Sequence, residues 1–511
     1  MKYKTKRTSG IFTFIFALLL PVLTLSFYSC PEEEPHGYLV YGEGNPEKDA
    51  NFKTDNLGNP NLTITINSKT KYQYVRGFGG MDSAWSSPKM TTKEYETLFD
   101  PEIIGLNMFR IMIPPNSTNI NTSMNSVHSN YYAAVKIANK YGAYVLGSPW
   151  SPPAAWKSNG SINGGKGVHL KPENYKNYAN YLKSFARHMA DKGAPIYAVS
   201  IQNEPNYETT YDGCLWSPQQ MRDFFLETGR FTDGVRGFGG GKETQTVLTM
   251  NGESANHPNI NDAALNNETS RAAIDLIGRH TYGNRQNRYA LAIDHLTDPK
   301  EVWMTENNIN SGNESGYPND SKWNYVWKIL NDIDLSIRLN DESAYIWWYS
   351  KRFYSLLGDG QYGTREGLIL PRGYALSHYA KFAKEKRRIG LTASGKTASG
   401  TAISTGGNFN NTTYNPDSVS ARASAFMSED ENEISIVLFT PTTTDGAGGM
   451  DLGVVKIVLP SDFIAASAAG IRSTSKTKAG TQEIILAEDG KYALVKMPAG
   501  NILSLKFTRA Q

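Results

Sequence analysis

The stretch IYAVSIQNEP, Ile196–Pro205, alternates apolar and polar side chains and then ends on an amide and a carboxylate, Asn203 and Glu204, with a proline behind them. Alternation of period two marks a half-buried strand. Strands usually end in turn residues that face water, so one reading makes Glu204 a solvated loop charge. The other makes it half of an acid/base pair held at a strand end.

Similar short runs recur along the chain: NMFRIMI (Asn107–Ile113), AYVLGS (Ala143–Ser148), TVLTM (Thr246–Met250), EVWMT (Glu301–Thr305) and AYIWW (Ala344–Trp348). Helical patterns lie between them, the clearest placing Tyr175, Tyr178, Leu182, Phe185 and Met189 on one face before Gly193. Strands and helices taking turns over roughly 300 residues predict parallel strands. Polar or aromatic residues follow so many strand ends that a barrel is favoured over an open sheet, because barrels gather their active sites there. The expected fold class is therefore α/β, a (β/α)8 TIM barrel over residues 76–385. Residues 386–511 read differently. EISIVLF, GVVKIVLP and ILSLKF are short alternating strands in a Ser, Thr, Gly and Asn background, and predict an all-β sandwich. The alternating NLTITINS opens a segment, 61–75, expected to join that sandwich.

The 511 residues include 39% hydrophobic and 20% charged ones, the balance of an ordinary folded protein. Residues 1–29 hold Lys2, Lys4, Lys6 and Arg7 and no acid, so the rest of the chain is within one charge of neutral. That removes any electrostatic case for nucleic acid. The basic start, the apolar run Ile11–Phe27 and Ser29-Cys30 predict an export signal over 1–29 with lipidation at Cys30. Pro31-Glu32-Glu33-Glu34 resembles the acidic surface-export tag of Bacteroidetes lipoproteins, and residues 30–60 read as a flexible tether. The expected location is the bacterial outer membrane, facing outward, touched only through the lipid anchor. Cys30 and Cys214 are the two cysteines, so lipidation of the first leaves no intramolecular disulfide and no thiolate metal site. No cofactor and no metal are expected, and the chain is expected to act as a monomer.

Cutting a glycosidic bond needs two carboxyl groups, one an acid/base and the other a nucleophile or water activator. Glu204 ends one strand and Glu306 ends EVWMT, about three βα units later, which puts the two near opposite sides of one barrel mouth. Asn203 precedes the first and Trp303 lies near the second.

SIQNEP and VWMTEN resemble the acid/base and nucleophile motifs of glycoside hydrolase family 30, in the clan of retaining (β/α)8 enzymes. RGFGGMDSAW (Arg76–Trp85), FRIMI, GSPWSPPAAWK (Gly147–Lys157) and RHTYG (Arg279–Gly283) resemble its first, second, third and sixth strand motifs. The resemblance covers residues 60–510 and implies roles residue by residue. Glu204 would be the general acid/base, kept neutral by burial and by its partner's charge, and Glu306 the nucleophile. Asn203 would hold the sugar 2-hydroxyl, Arg110 would keep Glu306 ionised, and Tyr282 of the sixth motif would bind substrate. A packing ion pair is the alternative role for Arg110.

YIWWYSKRFY (Tyr345–Tyr354) resembles the eighth-strand segment of the family's bacterial glucuronoxylanases, where an Arg and a Tyr hold the carboxylate of a 4-O-methylglucuronic acid branch. Arg352 and Tyr354 take those positions, Trp348 and Tyr349 the aromatic ones, and Ser311 fits a further contact. A guanidinium fork suits a carboxylate. Asn308 stands where a tyrosine is usual, and Lys351 and Phe353 replace a more polar pair. Arg352 has an alternative partner in Asp359. Trp150 and Trp156 would be stacking platforms for xylose, with core packing as the rival. The expected substrate is thus a xylan-type polysaccharide, cut at β-1,4-xylosidic bonds. A sibling acting on neutral xylan (a xylobiohydrolase) or on β-1,6-glucan, and a surface glycan-binding protein without catalysis, remain alternatives.

Overall fold

The computed structural model describes residues 59–85, 88–282, 287–309, 323, 326–396, 421–440, 451–474 and 478–511. Cys30, the tether before residue 59 and Ser311 lie outside the described residues. Eight parallel strands follow one another in the chain: Gly77–Met81, Met108–Ile113, Tyr144–Pro149, Ala198–Ser200, Leu248–Met250, Leu276–His280, Glu301–Asn307 and Ala344–Trp347. Each pairs with the next, and the eighth returns to the first through Ala344↔Gly77 to Trp347↔Gly80, closing the barrel.

Alternation along each strand sorts side chains into two layers. Met108, Leu146, Ala198, Met250, Leu276, Trp303 and Ile346 fill the barrel floor. Phe109, Val145, Val199, Ile277, Val302, Met304 and Tyr345 face the helices. Trp303 is fully buried and stacks on Tyr197, so it plugs the floor and does not reach the mouth. The helix Tyr175–Asp191 buries Tyr175, Tyr178, Leu182, Phe185 and Met189 against this outer layer, and the chain turns at Gly193 with φ 67°. The next long helix, Pro218–Thr228, starts where Ser217 and Gln220 cap each other's backbone amides, with Pro218 needing no partner for its missing N–H.

The strand Leu62–Val75 pairs antiparallel with Lys386–Gly395 and parallel with Gly453–Val458, inside a sheet of ten strands. Ile64, Val455 and Val495 from one half of this sheet and Ile434, Leu505 and Phe507 from the other share one core, so the sheet folds over on itself. On its other face Phe426, Val437, Phe439 and Ile502 merge with the barrel's core. Polar contacts cross the same seam: Arg422 pairs with Asp334 at 2.7 Å, and His378 of the helix Pro371–Phe382 sits between Ser504 (2.8 Å) and Ser473 (2.9 Å). Among the described residues no helix is long and apolar enough to cross a membrane.

Candidate active site

At the C-terminal end of the barrel lies a cleft of about 760 Å³, lined by Glu204, Glu306, Tyr282, Trp150, Trp348 and Tyr349 among others. Glu204 follows the fourth strand. Its amide donates to Glu253 O at 2.9 Å and its φ is 45°, a left-handed conformation that non-glycine residues rarely adopt. Glu306 reaches the cleft for a different reason. It shares the parity of Val302 and Met304, which face the helices. Pairing slips on both sides of the seventh strand, between Met304 and Glu306 and between Met304 and Asn307. This irregularity at Thr305 re-aims Glu306 into the mouth, as a bulge does.

A carboxylate oxygen of Glu204 and one of Glu306 lie within 4.8 Å, with His280 Nδ1 inside the same span. Glu306 accepts from Arg110 Nη1 at 2.6 Å and from the Tyr282 hydroxyl at 2.9 Å. The Arg110 guanidinium is fully buried. It also donates to Asn203 Oδ1 (2.6 Å) and Ser148 Oγ (3.0 Å), and it pairs with Glu253 at 3.0 Å. Burial opposes its charge, but Glu253 and Glu306 outweigh that and hold its pKa above the ordinary value. Arg110 is therefore the hub that aims both Glu306 and Asn203.

His280 Nδ1 lies 3.0 Å from Glu204 Oε1 and 4.0 Å from Glu306 Oε1. Burial pushes the Glu204 carboxyl up, but the hydrogen bond and charge of His280, with Arg110, outweigh it and leave the group below its ordinary value. Burial pushes His280 down, and Glu306 and Glu204 more than reverse this. The sequence reading expected burial and the partner's charge to keep Glu204 neutral. A fully buried imidazole against it adds an opposing influence, lowering the carboxyl while the two carboxylates raise His280. Among the described residues, Glu204, His280 and Glu306 are also the one grouping of such donors close enough to hold a metal ion. Arg110, Tyr282 and the trio's own contacts already engage them.

Trp150 is 6% exposed and lies over Arg110, 4.6 Å from ring to guanidinium, while also lining the cleft. It packs with Trp85 (centroids 4.7 Å apart) and Trp348 (5.8 Å), and Trp348 stacks on Tyr349 at 3.9 Å. Trp156 is elsewhere: it packs edge-on against Tyr181 and borders a separate surface hollow with Asn121 and Asn180. Arg352 and Tyr354 are not among the cleft-lining residues. Arg352 hydrogen-bonds with Tyr354, and its Nε is 4.0 Å from Asp359 Oδ2. Lys351 is spoken for by Glu94 (2.7 Å) and Glu366 (3.0 Å), and Phe353 packs on Tyr354 and Tyr362. Asn308 lines the cleft and donates to the Tyr282 hydroxyl at 3.4 Å.

Sequence reasoning missed Glu253, Ser148 and the pairing of His280. His280 sits inside the quoted RHTYG motif. Glu253 closes MNGES just past the fifth strand, the same strand-end carboxylate signal that singled out Glu204.

Residues 125–337 match the Glycosyl hydrolase family 30 TIM-barrel domain. The glucuronoxylanase XynC of Bacillus subtilis (strain 168) is 29% identical over 335 residues, covering 63% of this chain and 70% of that protein. A second Bacillus subtilis glucuronoxylanase XynC is 30% identical over 329 residues, covering 62% and 69%. Among solved structures, the family 30 subfamily 8 xylanase Xyn30A of Clostridium acetobutylicum shares the fold with a TM-score of 0.69 at 24% identity, covering 87% of this chain and 99% of that one. A closed parallel barrel with a carboxylate pair at its mouth, a folded all-β sheet beside it and these relatives lead to one conclusion: the chain is a glycoside hydrolase and belongs to glycosyl hydrolase family 30.

Proposed function

We propose that this hydrolase cleaves β-1,4-xylosidic bonds of glucuronoxylan with retention, using Glu306 as nucleophile and Glu204 as acid/base, directed by a (4-O-methyl)glucuronic acid branch. The observation that carries retention is the spacing of the carboxylates, within 4.8 Å. Retaining enzymes hold theirs about 5–5.5 Å apart, and inverting ones need ~6.5–9.5 Å to admit a water. A Glu306 oxygen attacks the anomeric carbon while the proton shared by His280 and Glu204 passes to the glycosidic oxygen, and the C–O bond breaks. The Glu204 carboxylate then takes a proton from water, whose oxygen attacks the same carbon and frees Glu306. Arg110 and Tyr282 hold Glu306 aimed, and Asn203, fixed by Arg110, meets the sugar 2-hydroxyl. Removing the nucleophile in Glu306→Gln should cost several orders of magnitude in turnover, because an amide oxygen cannot form the glycosyl-enzyme. Full turnover in that variant would sink the assignment.

Branch recognition is supported by the pairing of Arg352 with Tyr354 and by the similarity to relatives named glucuronoxylanases. One observation favours a second reading, action on neutral xylan: Asp359 stands 4.0 Å from the Arg352 Nε and competes for its charge. Mass analysis of the oligosaccharides released from glucuronoxylan separates the two. A branch at one fixed distance from the reducing end supports Arg352 as the ruler, and equal cleavage of linear xylan refutes it. The leader and Ser29-Cys30 support a lipid anchor at the outer membrane surface. Loss of fatty-acid labelling in Cys30→Ala tests the anchor.

A further inference from the structure

The cleft's second aromatic wall has no part in the chemistry above. Tyr207 and Tyr211 line it and are 53% and 54% exposed, unlike Trp150 at 6% and Tyr349 at 8%. Large exposed rings on a floppy loop mean little, but this loop is locked. Asn206 donates to Ala255 O (3.0 Å) and accepts from Ala255 N (2.7 Å), so its amide ties the loop to the segment after the fifth strand. The Tyr207 amide donates to Glu204 O at 3.0 Å, and Tyr211 O accepts from Gly164 N at 2.7 Å. Beneath, the fully buried Lys157 ammonium donates to Ile162 O (2.7 Å), Asn163 O (2.9 Å) and Gly213 O (2.6 Å), clasping the loop after the third strand to this one. Rigid, exposed aromatic faces in a cleft are built for a ligand.

We infer that Tyr207 and Tyr211 form a leaving-group-side binding site for an unbranched β-1,4-linked xylosyl chain, so that the enzyme cuts within polymers and not only at their ends. The inference rests on Glu204 being the acid/base. The residue that protonates the glycosidic oxygen faces the departing sugar, and Tyr207 and Tyr211 follow Glu204 on the same loop, three and seven residues on. Trp85, Trp150 and Trp348 pack together at centroid distances of 4.7–6.1 Å, and Trp150 lies over Arg110, which holds Glu306. That cluster is the wall for the sugar that Glu306 attacks. Aromatic surface on both sides of the bond allows a chain to run past it in both directions. The tyrosine loop also carries Glu208, exposed, and Asp212, which lines the cleft. Two acids repel a uronate, so this side accepts neutral xylosyl residues and leaves the branch to the other wall.

The test compares two substrates sharing one glycone, a xylosyl unit that carries the (4-O-methyl)glucuronic acid branch: its aryl glycoside, with no sugar in the leaving group, and the same unit extended by an unbranched xylosyl chain. Wild-type turnover of both establishes the parent activity, and its failure would refute the xylanase reading itself. In Tyr207→Ala/Tyr211→Ala the ratio of kcat/KM for the chain-extended over the aryl substrate should fall about a hundredfold, roughly tenfold per ring. Tyr207→Trp/Tyr211→Trp should restore most of that ratio. Transfer of the glycosyl group to added xylobiose should fall with it, because the acceptor occupies the same site. An unchanged ratio overturns the inference.

Discussion

Replacing His280 with Gln tests where the site keeps its proton. The imidazole lies above its ordinary 6.5 because Glu306 and Glu204 outweigh its burial, and the Glu204 carboxyl lies below its ordinary 4.5 because His280 and Arg110 outweigh its own. Between those limits the pair holds one shared proton, and the two groups titrate as a unit. The alkaline limb of kcat/KM in the wild type is the loss of that proton from a raised imidazole. In His280→Gln the carboxyl must carry it alone, and carboxyl groups ordinarily titrate about 2 pH units below imidazole. The alkaline limb should move acidward by about 2 units, so kcat/KM at pH values above the wild-type limb falls about a hundredfold, equivalent to ~2.7 kcal/mol in the barrier. Initial rates on an aryl glycoside across the pH range give the limb directly. Stability provides a second readout. A raised histidine stabilises fully below 6.5 and loses that contribution as pH rises through its folded value, and a lowered carboxyl stabilises above 4.5 and loses it as pH falls. The variant loses both contributions, so its stability varies less with pH. An alkaline limb that stays in place while kcat drops would show that His280 only packs the site, and would refute the shared proton.

Lys157→Met removes the ammonium that satisfies three buried carbonyls. At about 1 kcal/mol for each acceptor left without a donor, the protein should lose ~3 kcal/mol, read by denaturant unfolding. Unchanged stability would show that the clasp is not needed. His378, buried between Ser504 and Ser473, is pushed down to about 3 by burial and by Lys381. A base depressed in the fold charges first in the unfolded chain, so its effect is destabilising as pH falls from 6.5 towards 3. Between neutrality and about pH 5 the wild type should lose ~2 kcal/mol relative to His378→Gln, and parallel stability curves for the two would contradict this.

Much of this protein is legible along the chain because its strands and helices carry local periodicities. Ile196–Gln202 and Glu301–Thr305 alternate, and Tyr175–Met189 repeats at helical spacing. The residues just past those strands fall at one end of the barrel whatever the loops do, so Glu204, Tyr282 and Trp150 were within reach of sequence reasoning, whereas Arg110 and Glu306 lie inside their strands. Trp303 misled it. Its nearness to Glu306 along the strand says nothing about which face it takes, and alternation sent it to the floor.

What sequence alone determined is the order of elements and the division into barrel and sheet, and it singled out Glu204 and Glu306 as carboxylates near strand ends. Tertiary structure decided the rest, because barrel closure sets contacts between residues far apart in the chain. By parity Glu306 belongs with the helix-facing Val302 and Met304, and the pairing slip at Thr305 turns it inward. Glu253 shares Arg110 with Glu306 only because the second, fifth and seventh strands converge on one guanidinium. His280, 76 residues from Glu204, lowers that carboxyl and is itself raised by it. Asp359 beside Arg352 is likewise a matter of packing. Charge states depend on distance and burial, and neither is written in the order of residues.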